Sequence, residues 1–123
     1  MTTIEGRIDN LLSPRLKVKV AGLRGIIELD AIVDTGFNGD LCIPITLAVQ
    51  LGLILEYVHE VELADGSRKR VPVYSCDVEL NGLKRRAEVI LTDGTDALIG
   101  ANMLKTSRIT INYIARKVIM ILH

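Results

Sequence analysis

Aromatic side chains are nearly missing from this chain of 123 residues: it has no tryptophan, and Phe37, Tyr57, Tyr74 and Tyr113 are its only aromatic residues. That scarcity argues against a base-stacking platform of the kind used to hold single-stranded nucleic acid. An excess of charge of one sign is missing too. Fifteen Lys and Arg balance fifteen Asp and Glu, so no global field draws in a nucleic acid or an anionic membrane. Two local basic clusters, Arg68-Lys69-Arg70 and Lys84-Arg85-Arg86, read as solvated strand edges or turns. Cysteine is scarce: Cys42 and Cys76 permit one bridge at most and lack metal-ligand spacing, so no metal or cofactor is expected. No apolar run approaches the roughly 18 residues of a membrane span, and the first ten residues contain no signal-like apolar segment. The expected setting is cytoplasmic, with both thiols reduced and neither a nucleic acid nor a membrane as partner.

What the chain does hold is aliphatic. Hydrophobic residues make up 49% of it, so the core has to be built from β-branched residues and leucine, which favours strands. The length fits one domain, residues 1–123, able to bury roughly two-thirds of its unfolded surface without staples. Mean hydropathy is high for a soluble monomer, which suggests that a second chain covers some of the apolar surface.

Short strand-like segments dominate. Residues 15–20 (RLKVKV) alternate with period two, and residues 25–33 (GIIELDAIV) form a similar strand after the turn AGLRG. LCI (41–43) is a short apolar piece. Residues 44–53 read as a brief helix that Pro44 opens and Gly52 closes, with Leu47 and Leu51 four apart. Residues 56–80 predict a long hairpin whose tip is ADGS (64–67), because Asp-Gly favours a tight turn. Asn81-Gly82 turns the chain into a strand over 85–91; TDGTD (92–96) is a loop, ALIG (97–100) a short strand and ANML (101–104) about one helical turn. Strands over 108–114 and 117–122 close the chain as a hairpin. The pattern predicts an all-β fold with one or two short helices, a small closed barrel or a sandwich.

Within that pattern one feature is odd. The apolar run Ile32-Val33 ends in a carboxylate, Asp34, followed at once by Thr35 and Gly36. Carboxylates are rarely buried without a partner. An Asp-Thr-Gly tripeptide on its own also makes an Asx turn, in which the side chain caps nearby backbone N–H groups. Its context is more telling. A second apolar strand ending in glycine, Leu98-Ile99-Gly100, follows after the long hairpin, and a short helix follows that.

Val33-Asp34-Thr35-Gly36, the element at 98–100 and the hairpin between them resemble the retropepsin-like (retroviral-type) aspartic proteases over roughly residues 15–122. The resemblance implies a small closed barrel of the retroviral protease type, equivalent to one half of a pepsin-like enzyme, and an aspartic endopeptidase without cofactor. Such enzymes use two carboxylates that share one proton: one activates a water, and the protonated one hydrogen-bonds the scissile carbonyl. This chain has a single Asp-Thr-Gly and is too short for two lobes. The resemblance therefore implies a homodimer acting on a peptide or protein substrate, with Asp34 of each subunit meeting on a two-fold axis. By the same resemblance Thr35 locks the two loops across that axis, and the Gly36 N–H lies close to the carboxylate. Leu98, Ile99 and Gly100 pack beneath the loop, while Ala64, Asp65 and Gly66 form a flap tip that closes on substrate.

The chain departs from the family pattern after Gly36. A small residue is usual there, whereas this chain has Phe37 followed by Asn38-Gly39. The ring either narrows the cleft or packs against the next strand, and Phe37 is accordingly placed among the substrate-binding residues. The tip also lacks the several glycines of viral flaps, and Arg68-Lys69-Arg70 beside it would favour acidic substrates. With its own initiating Met the chain looks free-standing, more similar to cellular prokaryotic single-domain relatives than to a viral enzyme. His59 and His123 have no partner implied by spacing and are expected to be exposed or structural. The competing reading is a non-catalytic β-barrel of the same fold that binds peptide or a partner protein.

Overall fold

Alternation along the strands sets which side faces inward. In the computed structural model, which describes residues 2–122, Leu16, Val18 and Val20 are fully buried while Lys17 and Lys19 between them are exposed, as a half-buried strand requires. The elements run β1 (Thr2–Ile8), β2 (Pro14–Ala21), β3 (Ile26–Val33), β4 (Leu41–Pro44), α1 (Ile45–Leu51), β5 (Ile54–Glu62) and β6 (Arg68–Leu80). They continue through β7 (Leu83–Thr92), β8 (Leu98–Ile99), α2 (Ala101–Leu104), β9 (Ser107–Asn112) and β10 (Lys117–Leu122).

Strands β6, β7, β4, β8, β3 and β2 neighbour one another in that order, and β2 pairs back onto β6 to close a ring. Two pairs in the ring are parallel: β3 with β8, where Val33 faces Ile99, and β4 with β7, where Leu41 faces Val89. Outside it, β1 joins β2 to β10, and β10 carries β9 at the edge. The interior is aliphatic as expected: Leu41, Ile43, Val78, Val89 and Ile99 are buried, and no described aromatic residue is. No helix of the described residues is long and apolar enough to cross a membrane.

Local chemistry explains most boundaries. Pro44 caps α1, and Gly52 ends it in the left-handed region at φ 67°, its N–H reaching the carbonyls of Ala48 and Val49. Asn81 and Gly82 both take positive φ in the turn between β6 and β7. The hairpin of β5 and β6 projects from the ring, and along β5 only Val61 is less than exposed. One expectation needs correction, and one element was not anticipated. The strand expected over 108–114 stops at Asn112, because the Asn112 side chain accepts the Ala115 N–H and turns the chain. The first ten residues, which carry no strong strand signal, contain β1; its pairing with β10 from Thr2–Leu122 to Arg7–Lys117 decides that conformation.

Candidate active site

Asp34 leaves the buried end of β3, where Val33 is 6% exposed. Its backbone N–H donates to the Ile99 carbonyl at 2.9 Å, so β8 clamps the residue from one side. Its Oδ1 accepts the Gly36 N–H at 3.0 Å, and its carbonyl accepts the Phe37 N–H at 3.2 Å. Asp34 as a residue is half-buried, whereas Thr35 and Gly36 are exposed. Below it lies the buried Cys42, whose thiol titration is pushed up by burial and, secondarily, by the charge of Asp34. Cys76, also free and buried, is pushed up to about 12, chiefly by burial. Both thiols are therefore protonated and poor nucleophiles.

The loop that follows is tied to the start of α2 by three successive N–H groups. Gly100 donates to Asp40, Ala101 to Phe37 and Asn102 to Gly39, at 2.8, 2.7 and 3.2 Å. Close approach makes glycine necessary at position 100. A Cβ there would sit 2.1 Å from the Gly39 carbonyl oxygen and 2.7 Å from the Phe37 ring. The ring also covers Gly39, where a Cβ would stand 2.7 Å from it. Phe37 thus packs onto two glycines while also lining the cavity that the hairpin arm faces.

Sequence reasoning missed Asp40. Its side chain is 5% exposed. Oδ1 accepts from the Asn102 amide at 2.8 Å and from Arg85 at 3.2 Å, and Oδ2 accepts the Glu88 N–H at 2.9 Å. One buried acid thereby joins the loop, α2 and β7, with each oxygen satisfied as burial demands. The available signal was the one that singled out Asp34: an acid set against an apolar strand, here Leu41-Cys42-Ile43.

Ala64, Asp65 and Gly66 lie at the exposed tip of the β5–β6 hairpin. The tip's hydrogen bonds are internal: Leu63 N–H to the Ser67 carbonyl, Gly66 N–H to the Leu63 carbonyl, and the Ser67 N–H and hydroxyl to the Asp65 carboxylate. Those last bonds hold the Asp65 carboxyl below its ordinary value. The arm of the hairpin, rather than its tip, approaches the loop. Tyr57 and His59 line a cavity of about 300 Å³ together with Phe37, Asn38, Val73 and Glu88. His59 is exposed, and His123 lies outside the described residues. Among the described residues no cluster of three His, Cys, Asp or Glu side chains could hold a metal ion.

No family model matches this sequence, and no curated protein matches it. Solved structures do. A retropepsin-like aspartic protease from Rickettsia conorii aligns over 98% of this chain and 91% of its own, with a TM-score of 0.70 at 16% identity. The Simian Foamy Virus (mac) protease covers 74% of this chain and 91% of its own, with a TM-score of 0.56 at 20% identity. The EIAV protease, solved with the inhibitor HBY-793, covers 79% and 90%, with a TM-score of 0.55 at 14% identity. At such identities the likeness is one of architecture, and together with the ring of strands it establishes that this chain has the retropepsin-like fold.

Proposed function

We propose that the chain is an aspartic endopeptidase, active as a homodimer in which the Asp34 carboxylates of two copies share one proton and activate a water. The observation that carries this reading is Asp34 itself. It is half-buried at the end of a buried strand, clamped to Ile99 and bonded to the Gly36 N–H, on a fold whose solved examples named above are proteases. Two carboxylates a few Å apart in a partly dry site cannot both ionise. One then takes a proton from water while the other donates to the peptide carbonyl, and no covalent intermediate forms. Thr35, exposed beside Asp34, is the residue to bridge the two loops, and the hairpin carrying Ala64, Asp65 and Gly66 is the lid over the peptide.

Surface accounting supports a second copy. The chain exposes 7634 Å², against about 6500 Å² for a compact monomer of its mass. Near the Asp34 end two turns offer apolar side chains: Leu11 is 86% exposed and Ile114 99% exposed, with Leu12 and Tyr113 beside them. The turns are joined by Arg116, which donates to the Asp9 carbonyl at 2.7 Å. The first of them leads into Arg15, which stands opposite Ile32 two residues before Asp34.

Incubation with a diverse peptide mixture across about pH 3 to 7 tests the reading, comparing the wild type with Asp34→Asn. Cleavage by the wild type, falling by roughly 10³-fold or more in the variant while the dimer persists, supports it. A protein shown to be dimeric that cuts nothing overturns it in favour of a peptide- or partner-binding domain of the same fold.

A further inference from the structure

Glu88 stands apart among the charges near the candidate site. Asp40, the other acid lining the same cavity, has Arg85 on its carboxylate. Glu56 and Asp77 share Arg86, whose guanidinium also donates to Ser75. Glu88 accepts one hydrogen bond, from the Tyr57 hydroxyl, and no cation among the described residues pairs with it. Glu88 is exposed, and its backbone N–H is held by the buried Asp40. The cavity beside it is lined by the buried Val73, which the pairings Tyr57–Val73 and Ser75–Glu88 place on the same face of the sheet as Glu88, and by Phe37 of the Asp34 loop.

We propose that this cavity takes the side chain of a substrate lysine or arginine, with Glu88 as the carboxylate that recognises it. The inference rests on the protease reading above and names its substrate class. A lysine or arginine has both parts the cavity asks for: a methylene stem for the apolar Val73 and Phe37 and a cationic head for a carboxylate at the rim. The Tyr57 ring adds a face for the same cation. At about 300 Å³ the space is at the small end for ligand sites, suited to one long side chain rather than a cofactor. The basic cluster that would have favoured acidic substrates is met across the hairpin by its own acids, Arg70 opposite Glu60 and Arg68 opposite Glu62, with Arg68 3.5 Å from Glu60.

Two measurements test this. In the first, cleavage sites in a diverse peptide mixture are sequenced for the wild type, Glu88→Gln and Glu88→Lys at one pH. The wild type is expected to enrich lysine and arginine at one fixed distance from the cut. That enrichment falls about tenfold or more in Glu88→Gln, the worth of a hydrogen bond to a charged group, and turns to acidic residues in Glu88→Lys. In the second, Asp34→Asn is titrated with one pooled decapeptide library containing lysine at a set position and with the same library containing norleucine. Tighter binding of the lysine library, abolished by adding Glu88→Gln, is expected. Cleavage without basic enrichment, enrichment that survives Glu88→Gln, or equal binding of the two libraries overturns the proposal and leaves the protease reading standing. Lysine-dependent binding by a dimer that cuts nothing has the opposite meaning: the subsite stands and the protease reading falls.

Discussion

A buried acid whose every oxygen is occupied behaves unlike a surface one. Asp40 serves three partners on two elements, so its removal strands the Asn102 amide and the Glu88 N–H and releases Arg85. Asp40→Ala is expected to destabilise the fold by about 2–4 kcal/mol, since orphaned buried partners cost more than the bonds return on average. A chemical denaturation curve reads this directly, and an unchanged midpoint would show that the network carries no stability. Asp34 makes one side-chain bond and Asp40 makes three. Both follow the same sequence signal, an acid beside an apolar run. Only the fold separates the acid that is tied down from the one left available, because the partners of Asp40 lie 45 to 62 residues away in the chain.

At the scale of elements, the start of β2 depends on a charge cluster. Arg15 donates to Asp9 at 2.6 Å, to Asp96 at 3.0 Å and to the Asp30 carbonyl at 2.9 Å. It thereby ties the loop after β1 to β3 and to the approach of β8. The guanidinium of Arg15 first, and the Ser13 N–H second, hold the Asp9 carboxyl at about 2 against an ordinary 3.8. A carboxyl lowered in the folded state stabilises it above the unfolded value, and that contribution is lost as pH falls through the folded one. Wild type is therefore expected to melt higher than Asp9→Asn at neutral pH, with the gap closing between about pH 4 and 2. A gap that stays constant through that window would remove Asp9 from the account. The helices, turns and hairpins were legible from the sequence, because Pro44, Gly52, Asp65-Gly66 and Asn81-Gly82 act through their own backbones. β1 was not, because its conformation comes from β10, more than 100 residues later.

For the whole molecule the question is what covers the end that carries Asp34. If Leu11 and Ile114 lie in the contact between two copies, Leu11→Lys with Ile114→Lys places four charges in one interface across the pair. The dimer is then expected to weaken by about 10²-fold or more, since each unpaired charge taken from water costs several kcal/mol. Sedimentation reads the change, and peptide cleavage should fall with it and recover at high protein concentration. A double variant that remains dimeric at the wild-type concentration would place the contact elsewhere.

The sequence by itself determined what acts over short separations. An aliphatic core, short helices, the tight turns and the acid at the end of an apolar strand all follow from side-chain size, backbone freedom and period-two alternation. Tertiary structure decided what depends on distant partners. It closed the ring through β2 and β6, laid Phe37 on Gly39 and Gly100, paired Asp40 with Arg85 and left Glu88 with no cation among the described residues. The physical reason is that burial and charge pairing are properties of neighbours in space, and most of those neighbours are set only when the chain folds.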